Sequence, residues 1–247
     1  MTWRRCRMPR GVSVFRWWII NLKFSNNNEV TLSFGSPRIS ILGKSASGKG
    51  TQSLLLAKKY SLVNISTGQM IRSLLGSLSQ SDADNIRKGG LAPEGVIRGL
   101  AKEALLVAGK QGRGFVLDGF PRSIGQVNFL EEIFGGNLIS LAVYIDVSDE
   151  EALSRSLGRL VCSKCGINYK VSQFSSYPSD ASCVGCGNVL KKRADDSAAT
   201  FSSRMDVFKD KTIPVINHYE KAGVLWRVDG SSDPGDVFKK IAAKIDC

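Results

Sequence analysis

The run Gly43-Lys44-Ser45-Ala46-Ser47-Gly48-Lys49-Gly50-Thr51-Gln52 constrains this chain more than any other feature. It comes directly after a short apolar run, Arg38 to Leu42, that reads as a buried strand. It opens a segment from Gly50 to Tyr60 in which Leu54, Leu55, Leu56 and Ala57 read as a helix. A loop of small residues in that position turns backbone N–H groups onto phosphate oxygens, and the helix behind it adds the positive end of its dipole. Lys49 would reach the terminal phosphates, and Thr51 would place a hydroxyl beside them. An ordinary Gly-rich turn would require neither the lysine nor the spacing.

Beyond Tyr60, helical and strand patterns alternate. Helices are expected at Gly68–Leu78, Asp82–Lys88, Pro93–Val107, Gln126–Phe134 and Asp149–Leu157. Gly114–Asp118 and Leu138–Val147 are nearly continuous apolar runs, as in parallel strands covered on both faces. A long helix is expected over Ala198–Ala222, kinked at Pro214 and stopped by Gly223. Val224–Val228 reads as a last strand. Asp233 then Pro234 caps and opens a final helix to about Ile245. Alternation of this kind implies an α/β chain with a doubly wound parallel sheet, in which residues 160–192, polar and weakly periodic, form an insert.

That insert holds Cys162-x2-Cys165 and Cys183-x2-Cys186, 17 residues apart. The spacing is that of a zinc ribbon, and four thiolates in a tetrahedral array suit zinc in a closed, structural site. It would staple a segment too small for its own core. The other two cysteines, Cys6 and Cys247, are terminal and expected to be free.

Charge narrows the ligand class. The net charge is +12, and half of it lies in residues 1–38, where seven Lys and Arg face only Glu29. The rest is a modest excess suited to polyanions, nucleotide or nucleic acid alike. The first 30 residues are Arg-rich and acid-poor, which fits a mitochondrial or plastid transit peptide, or simply an extension. Val14–Phe24 is apolar but short, and Arg16 and Lys23 interrupt it, whereas a membrane span needs about 20 apolar residues. Trp17 and Trp18 read as part of this extension. Hydrophobic residues make up 43%, enough for a buried core, which excludes a disordered chain.

Gly48-Lys49-Gly50-Thr51-Gln52 resembles the adenylate kinases, and five further blocks do the same. They are Ile65-Ser66-Thr67-Gly68 with Arg72; Gly89-Gly90-Leu91-Ala92; Asp118-Gly119-Phe120-Pro121-Arg122 with Gln126; Arg155 with Arg159; and Arg193-Ala194-Asp195-Asp196 with Arg204. The resemblance covers roughly 39–245. It implies a P-loop NTPase-type sheet with a helical AMP-binding insert at 66–92 and a zinc-ribbon lid at 158–196. The core would be 38–65, 93–157 and 197–247, preceded by a basic extension at 1–37. It implies reversible transfer of the terminal phosphoryl group from ATP to AMP, giving two ADP, for adenine nucleotide homeostasis.

The resemblance also implies roles. Lys49, Arg122, Arg155, Arg159, Arg193 and Arg204 would surround the transferring group. Ala46, Ser47, Gly48, Lys49, Gly50, Thr51, Arg159, Asn168, Tyr169 and Ser232 would contact ATP. Thr67, Arg72, Gly90, Leu91, Ala92, Gly119, Phe120, Pro121, Arg122, Gln126, Arg193 and Arg204 would contact AMP. Asp118 would hold magnesium, largely through water. A ring of cations without a general base is what phosphoryl transfer asks for, since its barrier lies in joining two polyanions and stabilising charge. Arginine forks grip phosphate at two points. A Gln amide pairs donor and acceptor with adenine. UMP/CMP kinases usually carry Ala where Thr67 stands, so AMP is the expected acceptor, with UMP, CMP or GMP as alternatives. A zinc-ribbon nucleic-acid module is the competing class, but no aromatic ladder accompanies the arginines. Zinc lids occur in many bacterial members, which implies a cytoplasmic monomer with no membrane or nucleic-acid partner.

Four departures stand out. Ser45 replaces the family's usual Pro, and Ala46 replaces a Gly that would be strained if the position needs a positive φ. Lys44 adds a charge beside the loop, and Gln69 stands where an acid is common. His218, the only histidine, lies away from every motif and is expected to be structural.

Overall fold

A computed structural model describes residues 33–136, 138–173, 181–193 and 195–247 and the backbone of 19–22 and 30–32. Cys6, Trp17, Trp18 and most of the expected extension lie outside the described residues. Among the described residues the first elements are β1 (Ile19–Leu22), β2 (Val30–Ser33), β3 (Arg38–Leu42), α1 (Lys49–Tyr60) and β4 (Val63–Ser66). Next come α2 (Thr67–Leu74), α3 (Gln80–Arg87), α4 (Glu94–Lys110), β5 (Phe115–Asp118), α5 (Ile124–Phe134), β6 (Leu141–Asp146) and α6 (Asp149–Leu157). The chain continues through β7 (Arg159–Cys162), β8 (Asn168–Lys170), β9 (Leu190–Lys192), α7 (Ala198–Val207), α8 (Ile213–Lys221), β10 (Leu225–Asp229) and α9 (Pro234–Ile245).

Five strands form a parallel sheet in the order β10-β6-β3-β5-β4. Every residue of β3 is buried, as a central strand covered on both faces requires. β5 and β4 lie on one side of it and β6 and β10 on the other, so the end of β3 is a switch point where parallel sheets open a crevice for ligands. One apolar cluster joins the sheet to α4, α5, α7 and α8 around Leu105, Phe115, Leu117, Phe120 and Tyr219. A second, around Ile39, Ile41, Leu56 and Ile241, joins it to α1 and α9. Phe34, before the expected start of the domain, is 1% exposed and meets Phe115 and Phe134 edge-on at 5.6 Å each.

Local signals explain most boundaries. Ser123, Ser148, Ser197 and Asp233 each accept a backbone N–H as helix caps, and Pro234 opens α9 as expected. The single helix expected over Ala198–Ala222 is instead two, joined by a π turn at Phe208–Thr212. The wide turn lies just before Pro214, whose ring would otherwise clash with a carbonyl four residues back and whose missing N–H breaks the ladder. β4 has no counterpart among the expected strands: four residues, Val-Asn-Ile-Ser, carry too little pattern. β7, β8 and β9 form a small antiparallel sheet in the order β8-β7-β9 within the cysteine insert. Among the described residues no helix is long and apolar enough to cross a membrane.

Candidate active site

The loop after β3 turns as its sequence demands. Gly43 sits at φ +150, and a Cβ there would lie 2.6 Å from Ser47 Oγ and 2.7 Å from the Ile145 carbonyl. Ala46 sits at φ +61, so the position does call for the left-handed conformation that the family's glycine adopts freely. Ala46→Gly is therefore expected to stabilise the protein by about 1 kcal/mol, even after the entropy cost of a more flexible unfolded chain. A denaturant midpoint unchanged or lowered would contradict this. Lys44 adds no charge to the loop interior. Its Nζ turns away to the Val147 carbonyl at 2.6 Å and Asp149 at 2.6 Å.

Helix α1 has no acid in its first turn, which leaves its positive end free to face the loop. Lys49 Nζ donates to the carbonyl of Gly43 at 2.8 Å and to that of Lys44. Desolvation lowers its pKa to about 7, against the pull of Asp118; Arg122, Arg159 and Arg204 push it further down. Asp118, at the end of β5, accepts from Ser66 Oγ at 2.9 Å and lies beneath Gly50.

The opposite wall is built around α2, α4 and the turn after β5. Thr67 Oγ1 donates to the Gly119 carbonyl at 2.9 Å, as does Arg122 Nε at 2.9 Å. Gln126 Oε1 accepts from the Arg122 backbone N–H at 2.7 Å, and its Nε2 donates to Glu94 at 3.2 Å. Asn85 Nδ2 holds the Leu91 carbonyl at 2.9 Å, fixing the Gly90-Leu91-Ala92 segment. Arg72 is desolvated and faces Arg193, which lowers its pKa to about 10, still a cation at neutral pH. Phe120 differs from its neighbours in the motif. Its side chain is fully buried in the core and does not line the cavity, while its carbonyl accepts from Ser40 Oγ.

Two carboxylates that sequence reasoning left without a role organise the arginines. Asp196 accepts from Arg159 Nε at 2.7 Å and from Arg204 at 3.3 Å. Asp195 accepts from Arg193 at 3.1 Å and from Arg204. The guanidinium pair pulls the Asp195 pKa down to about 2 despite the opposing effect of burial. Three guanidiniums thus share two carboxylates, leaving charge and N–H donors for a polyanion. Only the adjacency of the two acids in one Arg-x-Asp-Asp block hinted at this. Arg155 stands apart: it pairs with Glu151 and donates to the Gly230 carbonyl at 2.8 Å, beside Ser232.

The cysteine insert lies over this cleft. Gln69 reaches across from α2 so closely that a Cβ on Gly166 would meet its Nε2 at 2.2 Å, and Gly166 is at φ +74. A neutral amide fits there. The Sγ atoms of Cys162, Cys165, Cys183 and Cys186 all lie within 4.8 Å of one another, with separations of 3.4, 3.4 and 3.7 Å. Tetrahedral thiolates with arms of about 2.3 Å would stand about 3.8 Å apart, so the four can hold one metal ion. Tyr169 turns its hydroxyl to Cys183 Sγ at 3.2 Å while accepting from the Val184 N–H at 3.1 Å. That hydrogen bond favours the thiolate and lowers the Cys183 pKa to about 6. His218 is remote from all of this, 3.2 Å from Glu131.

One cavity of about 640 Å³ brings these groups together. Every residue expected to contact a nucleotide lines it except Phe120, from Ala46 and Ser47 through Asn168, Tyr169 and Ser232 to Pro121 and Arg204. The family model described as adenylate kinase matches residues 41–224. An adenylate kinase of Haloarcula marismortui is 37% identical over 219 residues, covering 85% of this chain and 97% of its own. One from Syntrophobacter fumaroxidans is 38% identical over 210 residues, covering 83% and 98%. One from Clostridium botulinum is 36% identical over 213 residues, covering 83% and 96%.

Proposed function

Because the chain belongs to the adenylate kinase family and so moves the terminal phosphoryl group of ATP to AMP, we propose how its residues divide that task. ATP lies along the loop from Ala46 to Thr51, with Lys49 and Arg159 on its phosphates and Asn168, Tyr169 and Ser232 toward its nucleoside. AMP lies against Thr67, Gly90, Leu91, Ala92, Gly119, Pro121 and Gln126, with Arg72 and Arg122 on its phosphate. Arg193 and Arg204 stand between them. The observation that carries this reading is the convergence of Lys49, Arg72, Arg122, Arg159, Arg193 and Arg204 on one cavity. Two polyanions brought to one place need that much positive charge, and guanidinium forks stabilise the transferring group without covalent chemistry. On binding, phosphate oxygens would take over donors that now serve Asp195, Asp196 and the loop carbonyls.

Asp118 is suited to magnesium through water, since it ends a strand beside Gly50 and keeps free acceptor sites. Zinc is the ion proposed for Cys162, Cys165, Cys183 and Cys186, for four soft sulfurs leave no open coordination position. The lid excludes water, which would otherwise take the phosphoryl group. A cytoplasmic monomer without nucleic-acid partners is the setting proposed for this reaction.

The division of labour is tested by binding. Arg72→Ala is expected to weaken AMP at least ~10-fold and ATP little, and Arg159→Ala the reverse, as the loss of a charge-assisted hydrogen bond implies. Titration calorimetry with each nucleotide alone reads both. Equal losses for the two nucleotides would mean the halves are wrongly divided.

A further inference from the structure

Gln126 is 2% exposed, yet it lines the acceptor side of the cavity. Both ends of its amide are already engaged. Oε1 accepts from the Arg122 backbone N–H at 2.7 Å, and Nε2 donates to Glu94 Oε1 at 3.2 Å. A backbone N–H only donates and an ionised carboxylate only accepts. Turning the amide over would set donor against donor and acceptor against acceptor. Its orientation is therefore fixed by its surroundings.

Glu94 is itself tied down. Arg98, one turn later on α4, donates through Nε to Glu94 Oε2 at 3.0 Å and through Nη2 to the Gly125 carbonyl at 3.1 Å. Ser123 Oγ donates to Glu94 Oε1 at 3.1 Å. The carboxylate thus clamps the start of α4 to the start of α5, with Gln126 in the clamp.

We infer that Glu94 is a positioning residue that, together with the Arg122 backbone N–H, fixes which way the Gln126 amide faces the acceptor base, and so favours a 6-amino over a 6-oxo purine monophosphate. The inference rests on the reading that Gln126 contacts the base. With one hydrogen and one lone pair spent, Nε2 keeps one N–H and Oε1 one lone pair. Donor and acceptor stand on neighbouring polar atoms in a set order. A 6-aminopurine presents an exocyclic N–H donor beside a ring-nitrogen acceptor, which matches that order. A 6-oxopurine presents an acceptor beside a ring N–H, which opposes it at both atoms. The two bases have nearly the same shape, so a pocket wall alone would separate them poorly, whereas fixed polar groups separate them strongly.

The test compares kcat/KM for AMP and inosine monophosphate in the full-length wild type, Glu94→Gln and Gln126→Ala. Glu94→Gln is isosteric at a half-exposed side chain, and its own amide can serve either orientation of Gln126, which leaves the Arg122 N–H as the one restraint on the amide. It is expected to lower the AMP:IMP preference about tenfold, mainly through better use of IMP, with the melting temperature nearly unchanged. Gln126→Ala is expected to lower the preference as well. If Gln126→Ala leaves the preference intact, Gln126 does not read the base, and the inference falls with that reading. If Gln126→Ala collapses it while Glu94→Gln changes only stability, Glu94 is merely structural and the inference alone is overturned.

Discussion

Lys49→Met is expected to lower kcat by roughly 10²–10³-fold while the chain stays folded, the loss typical of removing one preorganised donor to developing charge. The fold does not lean on this side chain, because its Nζ donates to the Gly43 and Lys44 carbonyls of its own turn. Methionine keeps the aliphatic stem and gives up the cation. The pH dependence of stability adds a second readout. Lys49 has its pKa lowered from 10.5 to about 7, chiefly by desolvation. The unfolded chain therefore binds more protons than the native one between these values, and wild-type stability gains from this group as pH rises through that window. The penalty is full below about pH 7 and gone above the unfolded pKa. Any stability advantage of Lys49→Met should thus shrink between about pH 7 and about pH 10. A fully active mutant would show that the donor phosphates bind elsewhere.

Cys162→Ser is expected to remove about one zinc per chain and lower the melting temperature by about 5–10 °C. Among the described residues, the buried cluster of the lid is Leu160, Cys162, Ala181, Cys183 and Leu190, so two of these five are metal-ligand candidates. Three short strands around so small a core need a staple. Losing a few kcal/mol in a chain of this size shifts the midpoint by that much. Because the lid contributes Asn168, Tyr169 and Arg193 to the cavity, activity should fall too, through water entry and misplaced arginines. Wild-type protein that carries no metal, or a mutant with metal and midpoint unchanged, would refute a structural zinc.

Much of the fold and the site was legible in the sequence because the decisive signals were local. Strand, small-residue loop and helix are contiguous around Lys49, and Asp233-Pro234 announces its own cap. The paired cysteines needed only their spacing. What stayed hidden depends on partners distant in sequence. β4 is a strand because β5 lies beside it, with Val63 opposite Phe115, and not because Val-Asn-Ile-Ser insists on it. The cysteine insert reads as irregular because its strands have three or four residues. Phe120 shares a motif with cavity residues, but its ring went to the core while its neighbours Gly119 and Pro121 line the cavity. Glu94 looks like any acid in a first helical turn until α5 brings Gln126 against it. Asp195 and Asp196 become meaningful only when Arg159 and Arg204 arrive from the start of β7 and from α7.

The phosphate loop points to a bound nucleotide; Arg72, Arg122, Gln126, Arg193 and Arg204 are the residues proposed to turn binding into transfer. The most direct measurement is ADP formation from ATP with AMP, UMP, CMP and GMP supplied in turn. AMP should give by far the highest kcat/KM and two ADP for each AMP consumed. Equal rates with every acceptor, or no reaction with AMP, would contradict the assignment of this cleft to ATP and AMP.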